Sequence, residues 1–81
     1  MPKVKETDKF RDVKFKLDKS YLIRVEKLID KIVKDPGVGK PMQYERKGTR
    51  ELYLPPFRVS YAYNIDEDVL IFLDIYHKKK Q

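Results

Sequence analysis

The hydrophobic rhythm of this chain changes once, at Asp35-Pro36-Gly37, and that change decides what it can fold into. Before it, apolar residues recur every three or four positions, the period of a helix with one buried face. After it they recur every second position, the period of a strand. The clearest stretch is 57–65. There Phe57, Val59, Tyr61, Tyr63 and Ile65 point one way, and Arg58, Ser60, Ala62 and Asn64 the other. A chain that changes period in this way builds helices and a sheet from separate segments, which is the α+β arrangement.

The helical half reads as two elements. Thr7 or Asp8 can cap the first, because a short side-chain oxygen accepts from the free amides of the opening turn. Phe10, Val13 and Leu17 share its face. Asp18 and Ser20 offer the second cap, and a helix over about 21–34 follows. Leu22, Val25, Leu28, Ile29, Ile32 and Val33 form its stripe. Pro36 and Gly37 end it. In the strand half, 50–54 carries Leu52 and Leu54 on one side, and Pro55-Pro56 breaks it. Asp66-Glu67-Asp68 makes a turn, and 69–76 is apolar on both faces, as a central strand is. Residues 2–6 allow one more short strand. The expectation is one domain over 1–81: a short N-terminal strand and a two-helix hairpin packed on an antiparallel sheet of three to four strands.

Composition narrows the function. Nineteen Lys and Arg oppose thirteen Asp and Glu, a net +6 in 81 residues. Such a surface attracts polyanions over roughly 8–10 Å, which favours nucleic acid as a partner. The absence of cysteine rules out disulfides and thiolate metal sites. No apolar run approaches the roughly 20 residues that span a bilayer. No apolar signal segment follows Met1-Pro2-Lys3-Val4-Lys5. A soluble cytoplasmic protein is expected. Gly37-Val38-Gly39-Lys40 is not a P-loop, since it follows a helix and lacks the spacing.

Several runs, in order, carry a resemblance: Asp35-Pro36 through Gly39-Lys40-Pro41, Gly48-Thr49-Arg50-Glu51-Leu52, Phe57-Arg58-Val59-Ser60-Tyr61, and Ile75-Tyr76-His77-Lys78. Together they resemble the RelE/ParE toxin superfamily, with YoeB-like features at the C-terminal strand. The resemblance implies a RelE-like fold and an acidic, helical, RelB-like antitoxin as partner. It also implies cleavage of mRNA on the ribosome, with no metal or other cofactor. The chain departs from the pattern at Glu51 and Tyr53, where RelE members often carry a lysine pair. It departs again at Met42, where the YoeB branch has a carboxylate, and the tyrosine that many members carry near the C-terminus is missing, with Gln81 as the last residue. Two other readings stay open: a ParE-like poison of DNA gyrase, and a non-catalytic module that binds RNA or its antitoxin.

Cutting RNA internally without metal needs a base for the 2′-hydroxyl, a cation for the phosphate, and an acid for the departing 5′-oxygen. Arg58 is the candidate cation, unless it pairs at the surface with Asp74 or Glu51. It lies opposite the apolar row, where a guanidinium can grip phosphate with two parallel bonds, and it matches the family's aromatic-Arg motif. His77 is the only histidine, and histidine is the side chain suited to proton transfer near neutral pH. A hairpin turning near Glu67 pairs residues whose numbers sum to 133–134. Arg58 then faces Ile75 or Tyr76, one step from His77. The expectation is that Arg58 and His77 stand side by side. Lys78 matches the family's terminal basic residue and is a further catalytic candidate. Glu51 is the fourth, as a base or as an orienter of His77, unless it pairs with Arg50 at the surface. Arg46, Lys47, Arg50, Lys79 and Lys80 are expected to position RNA phosphates. Tyr44 and Tyr53 are placed to stack on bases, whereas Tyr61 and Tyr63 fall on the apolar row.

Overall fold

A computed structural model describes residues 1–43 and 48–77. The expectations for Tyr44, Arg46, Lys47, Lys78, Lys79 and Lys80 lie outside the described residues. The elements run β1 (Lys3–Glu6), α1 (Asp8–Lys16), α2 (Lys19–Lys34), β2 (Lys40–Pro41), β3 (Thr49–Leu54), β4 (Phe57–Asn64) and β5 (Val69–His77). Local chemistry sets the helix starts. The Thr7 hydroxyl oxygen accepts from the Phe10 amide at 3.1 Å, and Asp18 accepts from the Tyr21 amide at 3.1 Å. Asp18 rather than Ser20 is the cap, so α2 begins two residues before the expected Tyr21. The Ser20 hydroxyl instead donates to the Asp18 carboxylate at 2.8 Å.

The strands form one five-stranded sheet in the order β1-β5-β4-β3-β2. The α+β reading holds, and the sheet exceeds the expected three to four strands in two ways. β1 lies parallel to β5, so the sheet is mixed rather than antiparallel. β2 adds a two-residue edge, with Lys40 opposite Glu51 and Pro41 opposite Arg50. Two residues that include proline carry no readable alternation, and proline is tolerated at an edge. β5 sits between β1 and β4, an interior place in the sheet as its apolar run suggested.

The two helices cover one face. Phe10 from α1, Val25 and Ile32 from α2, and Val59, Tyr61, Leu70, Phe72 and Ile75 from the sheet form the buried core. Burying a side chain of this kind contributes about 1.5–3 kcal/mol. The Phe10 and Phe72 rings lie 5.3 Å apart and tie α1 to β5. The apolar row on β4 is shorter than expected. The strand ends at Asn64, and Ile65 lies in the turn with 76% of its surface exposed.

Candidate functional site on the open sheet face

Alternation sends every second side chain to the face that the helices leave open. Three paired positions organise it: Glu51 opposite Ser60, Tyr53 opposite Arg58 across β3 and β4, and Arg58 opposite Tyr76 across β4 and β5. The last pair is one of the two that the hairpin register allowed. Arg58 Nη1 lies 3.5 Å from Glu51 Oε1. Tyr76 donates its hydroxyl hydrogen to the other oxygen of the same carboxylate. The Glu51 side chain is only 3% exposed. This carboxylate, buried on the face without helices, therefore has a cation and a hydroxyl to compensate it. The Arg58 guanidinium carbon also stands 5.8 Å from the centre of the Tyr53 ring. Arg58 Nε is buried and has no hydrogen-bond partner.

Glu51 does not pair with Arg50, because neighbours on a strand point to opposite faces. Arg50 holds the loop before β2 instead: its Nη1 donates to the Gly39 carbonyl at 2.7 Å and the Gly37 carbonyl at 3.3 Å. Tyr61 secures the same loop. It donates to the Pro36 carbonyl at 2.7 Å and accepts from the Gly39 amide at 2.9 Å. Burial pushes its phenol pKa up. Any Cβ at position 39 would meet the Tyr61 hydroxyl at 2.7 Å, so only glycine fits.

His77 is one register step from Arg58, as expected, but the two are not side by side. His77 faces Phe57 across the hairpin, and Arg58 faces Tyr76. Consecutive pairs project to opposite faces. His77 therefore belongs to the helix side, its ring 5.9 Å from that of Phe57, which in turn meets Tyr21 of α2 edge-on.

Two further residues, Lys9 and Asp74, complete the open face. Lys9, from the first turn of α1, reaches Asp74 Oδ2 at 3.2 Å. Asp74 is opposite Ser60, and the register shifts just beyond that pair, leaving Leu73 as a bulge in β5. Thr7 donates to the Leu73 carbonyl at 2.8 Å, which anchors the start of α1 at the bulge. The hairpin sum that gave Arg58–Tyr76 also gives Ser60–Asp74, so Tyr76 and Asp74 were within reach of the sequence. Lys9 was not, since no strand period reports where a helix docks. Among the described residues, no three His, Asp or Glu side chains gather as a metal site requires. Among the described residues, no helix is long and apolar enough to cross a membrane. The face instead presents a forked cation beside a buried carboxylate, a combination suited to holding an anionic oxygen in a fixed orientation.

The model of the ParE toxin family, of type II toxin–antitoxin system parDE, matches residues 3–81. The chain belongs to this family, within the RelE/ParE superfamily, and is a toxin of a type II toxin–antitoxin system. It is similar to a chain of the RelBE2 toxin–antitoxin complex from Mycobacterium tuberculosis. There the TM-score is 0.84 at 25% identity, over 96% of this chain and 100% of that one. The isolated RelE toxin of E. coli superposes with a TM-score of 0.83 at 10% identity, over 100% and 88%. A YoeB/ParE toxin from Agrobacterium tumefaciens gives 0.80 at 18% identity, over 93% and 96%. The last two likenesses are of fold alone. No curated protein matches the sequence.

Proposed function

We propose that this toxin cuts messenger RNA on the ribosome in the cytoplasm, that Arg58 holds the scissile phosphate, and that an acidic antitoxin silences it. The observation that carries the reading is Arg58 itself. It stands on the open face with one nitrogen fixed by Glu51 and with Nε unpartnered. In the reaction the 2′-hydroxyl loses its proton and attacks the adjacent phosphorus. Negative charge gathers on the phosphate oxygens, and the P–O5′ bond breaks as the 5′-oxygen takes up a proton. Arg58 stabilises that charge. Glu51 is the open-face carboxylate beside it and is assigned to the 2′-hydroxyl proton. The leaving-group proton comes from water or from His77, which stands at the strand end but on the helix side, and His77→Ala tells the two apart. The ribosome aligns the RNA for in-line attack, which accounts for a requirement for ribosomes.

The net +6 charge steers an acidic partner to the toxin. Phe15, 82% exposed beside Leu22 on the outer side of the helices, offers such a partner apolar surface. The experiment is to give purified toxin the same mRNA naked and on programmed ribosomes. Cleavage confined to the ribosomal sample is expected, and equal cutting of both would contradict it. The parDE description of the family model favours a second reading, poisoning of DNA gyrase. Loss of supercoiling in a gyrase assay, with mRNA intact, would establish that one.

A further inference from the structure

Beside Arg58 the open face sinks into a cleft of about 370 Å³, lined by Lys9, Thr49, Glu51, Ser60, Asp74 and Tyr76. Four elements build it, and the bulge at Leu73 forms part of its wall. Among the described residues, two buried side-chain atoms have no hydrogen-bond partner, and both belong to this face: Arg58 Nε and Asp74 Oδ1. Buried polar atoms are normally satisfied, so such exceptions mark where a ligand or water belongs. One is a donor and the other an acceptor. They sit on strand positions one alternation apart, about 7 Å along the strands. A nucleotide complements both, offering phosphate oxygens to the first and base N–H groups to the second.

We infer that the cleft is a guanine-reading subsite, in which Asp74 takes the base of a nucleotide that flanks the phosphate held by Arg58. This deepens the RNA-cleaving reading and rests on it. The choice of base follows from the carboxylate, whose two oxygens only accept. Guanine alone carries two adjacent N–H donors on its Watson–Crick edge, at N1 and N2. Adenine and cytosine set a ring-nitrogen lone pair beside their amine, which repels the second oxygen. Uracil flanks its single N–H with two carbonyls. Asp74 Oδ2 is held by Lys9, whose side chain is 72% exposed. The Asp74 side chain is 21% exposed, so the pair meets water on the lysine side, where solvent screening weakens it. Lys9 then turns to the guanine O6, so the pair that closes Asp74 becomes a donor for the same base. Single-stranded RNA is commonly read along this edge.

The experiment maps the cut ends of ribosome-bound transcripts. The wild-type toxin should cut on the order of tenfold faster where guanosine flanks the scissile bond, the discrimination typical of a bidentate base contact. Asp74→Asn should bring guanosine sites down to the rate at other bases. Because that variant could fold poorly, the same test is made on the wild-type protein with inosine in place of the flanking guanosine. Inosine lacks only the N2 amine, and it should be cut several-fold more slowly. Cleavage without guanosine bias, bias retained in folded Asp74→Asn, or inosine cut as fast as guanosine overturns the subsite and leaves the RNA-cleaving reading standing. No ribosomal cleavage by the wild-type toxin overturns both.

Discussion

The two faces of the sheet use alternate residues of the same strands for opposite purposes. The covered face buries Val59, Tyr61, Phe72 and Ile75 under the helices. The open face carries Glu51, Arg58, Ser60, Asp74 and Tyr76, with two buried polar atoms left unpartnered. One face is settled by packing, and among the described residues none of its buried side-chain polar atoms lacks a hydrogen bond. The other keeps a buried carboxylate and an incompletely bonded guanidinium, an arrangement that costs stability and is explained by a ligand. In a domain this small the covered face must make up that cost, since few other residues can.

The largest difference should appear in stability. Phe72→Ala empties the centre of the covered face, where Phe10 and Tyr61 both meet the ring. It should cost about 3–5 kcal/mol in a urea titration. A cost near zero would mean that the helices do not pack as described.

On the open face the interesting change is Arg58→Ala. It leaves Glu51, 3% exposed, with its Tyr76 hydrogen bond but without the adjacent cation. A loss of about 1–3 kcal/mol is expected. Adding Glu51→Gln should recover part of that loss, because the charge no longer needs compensation. If the two changes are simply additive, Arg58 and Glu51 are not coupled.

The smallest effect lies away from both faces. The Ser20 hydroxyl and then the Tyr21 amide lower the pKa of Asp18 from 3.8. Its contribution to stability is therefore full above about pH 4 and is lost as the pH falls through the lower folded value. Thermal unfolding of the wild type and Asp18→Asn between pH 2 and pH 6, roughly the window of carboxylate titration, should show the two converging at the acid end. A constant gap would mean that the charge on Asp18 is irrelevant.

Much of this contrast was legible in the sequence. The alternation in 57–65 separates the faces, and the hairpin sum places Tyr76 opposite Arg58. What could not be read came from contacts that no period encodes. β1 joins β5 in parallel although both helices and three strands separate them in the chain, and β2 is too short to alternate. Lys9 reaches Asp74 only because α1 is anchored at Leu73. The side-by-side placement of Arg58 and His77 overlooked that successive hairpin pairs face opposite ways. Arg50 looked like a phosphate ligand by its charge, yet it lies on the covered side and donates to two carbonyls of the loop before β2.

The most direct test of the central claim, that the open face is the working face, is Arg58→Lys assayed for both folding and ribosomal mRNA cleavage. Lysine keeps the positive charge beside Glu51 but loses the planar fork. The unfolding midpoint should stay close to wild type, with cleavage reduced about 100–1,000-fold. A folded Arg58→Lys protein that cuts ribosome-bound mRNA at the wild-type rate would contradict that claim.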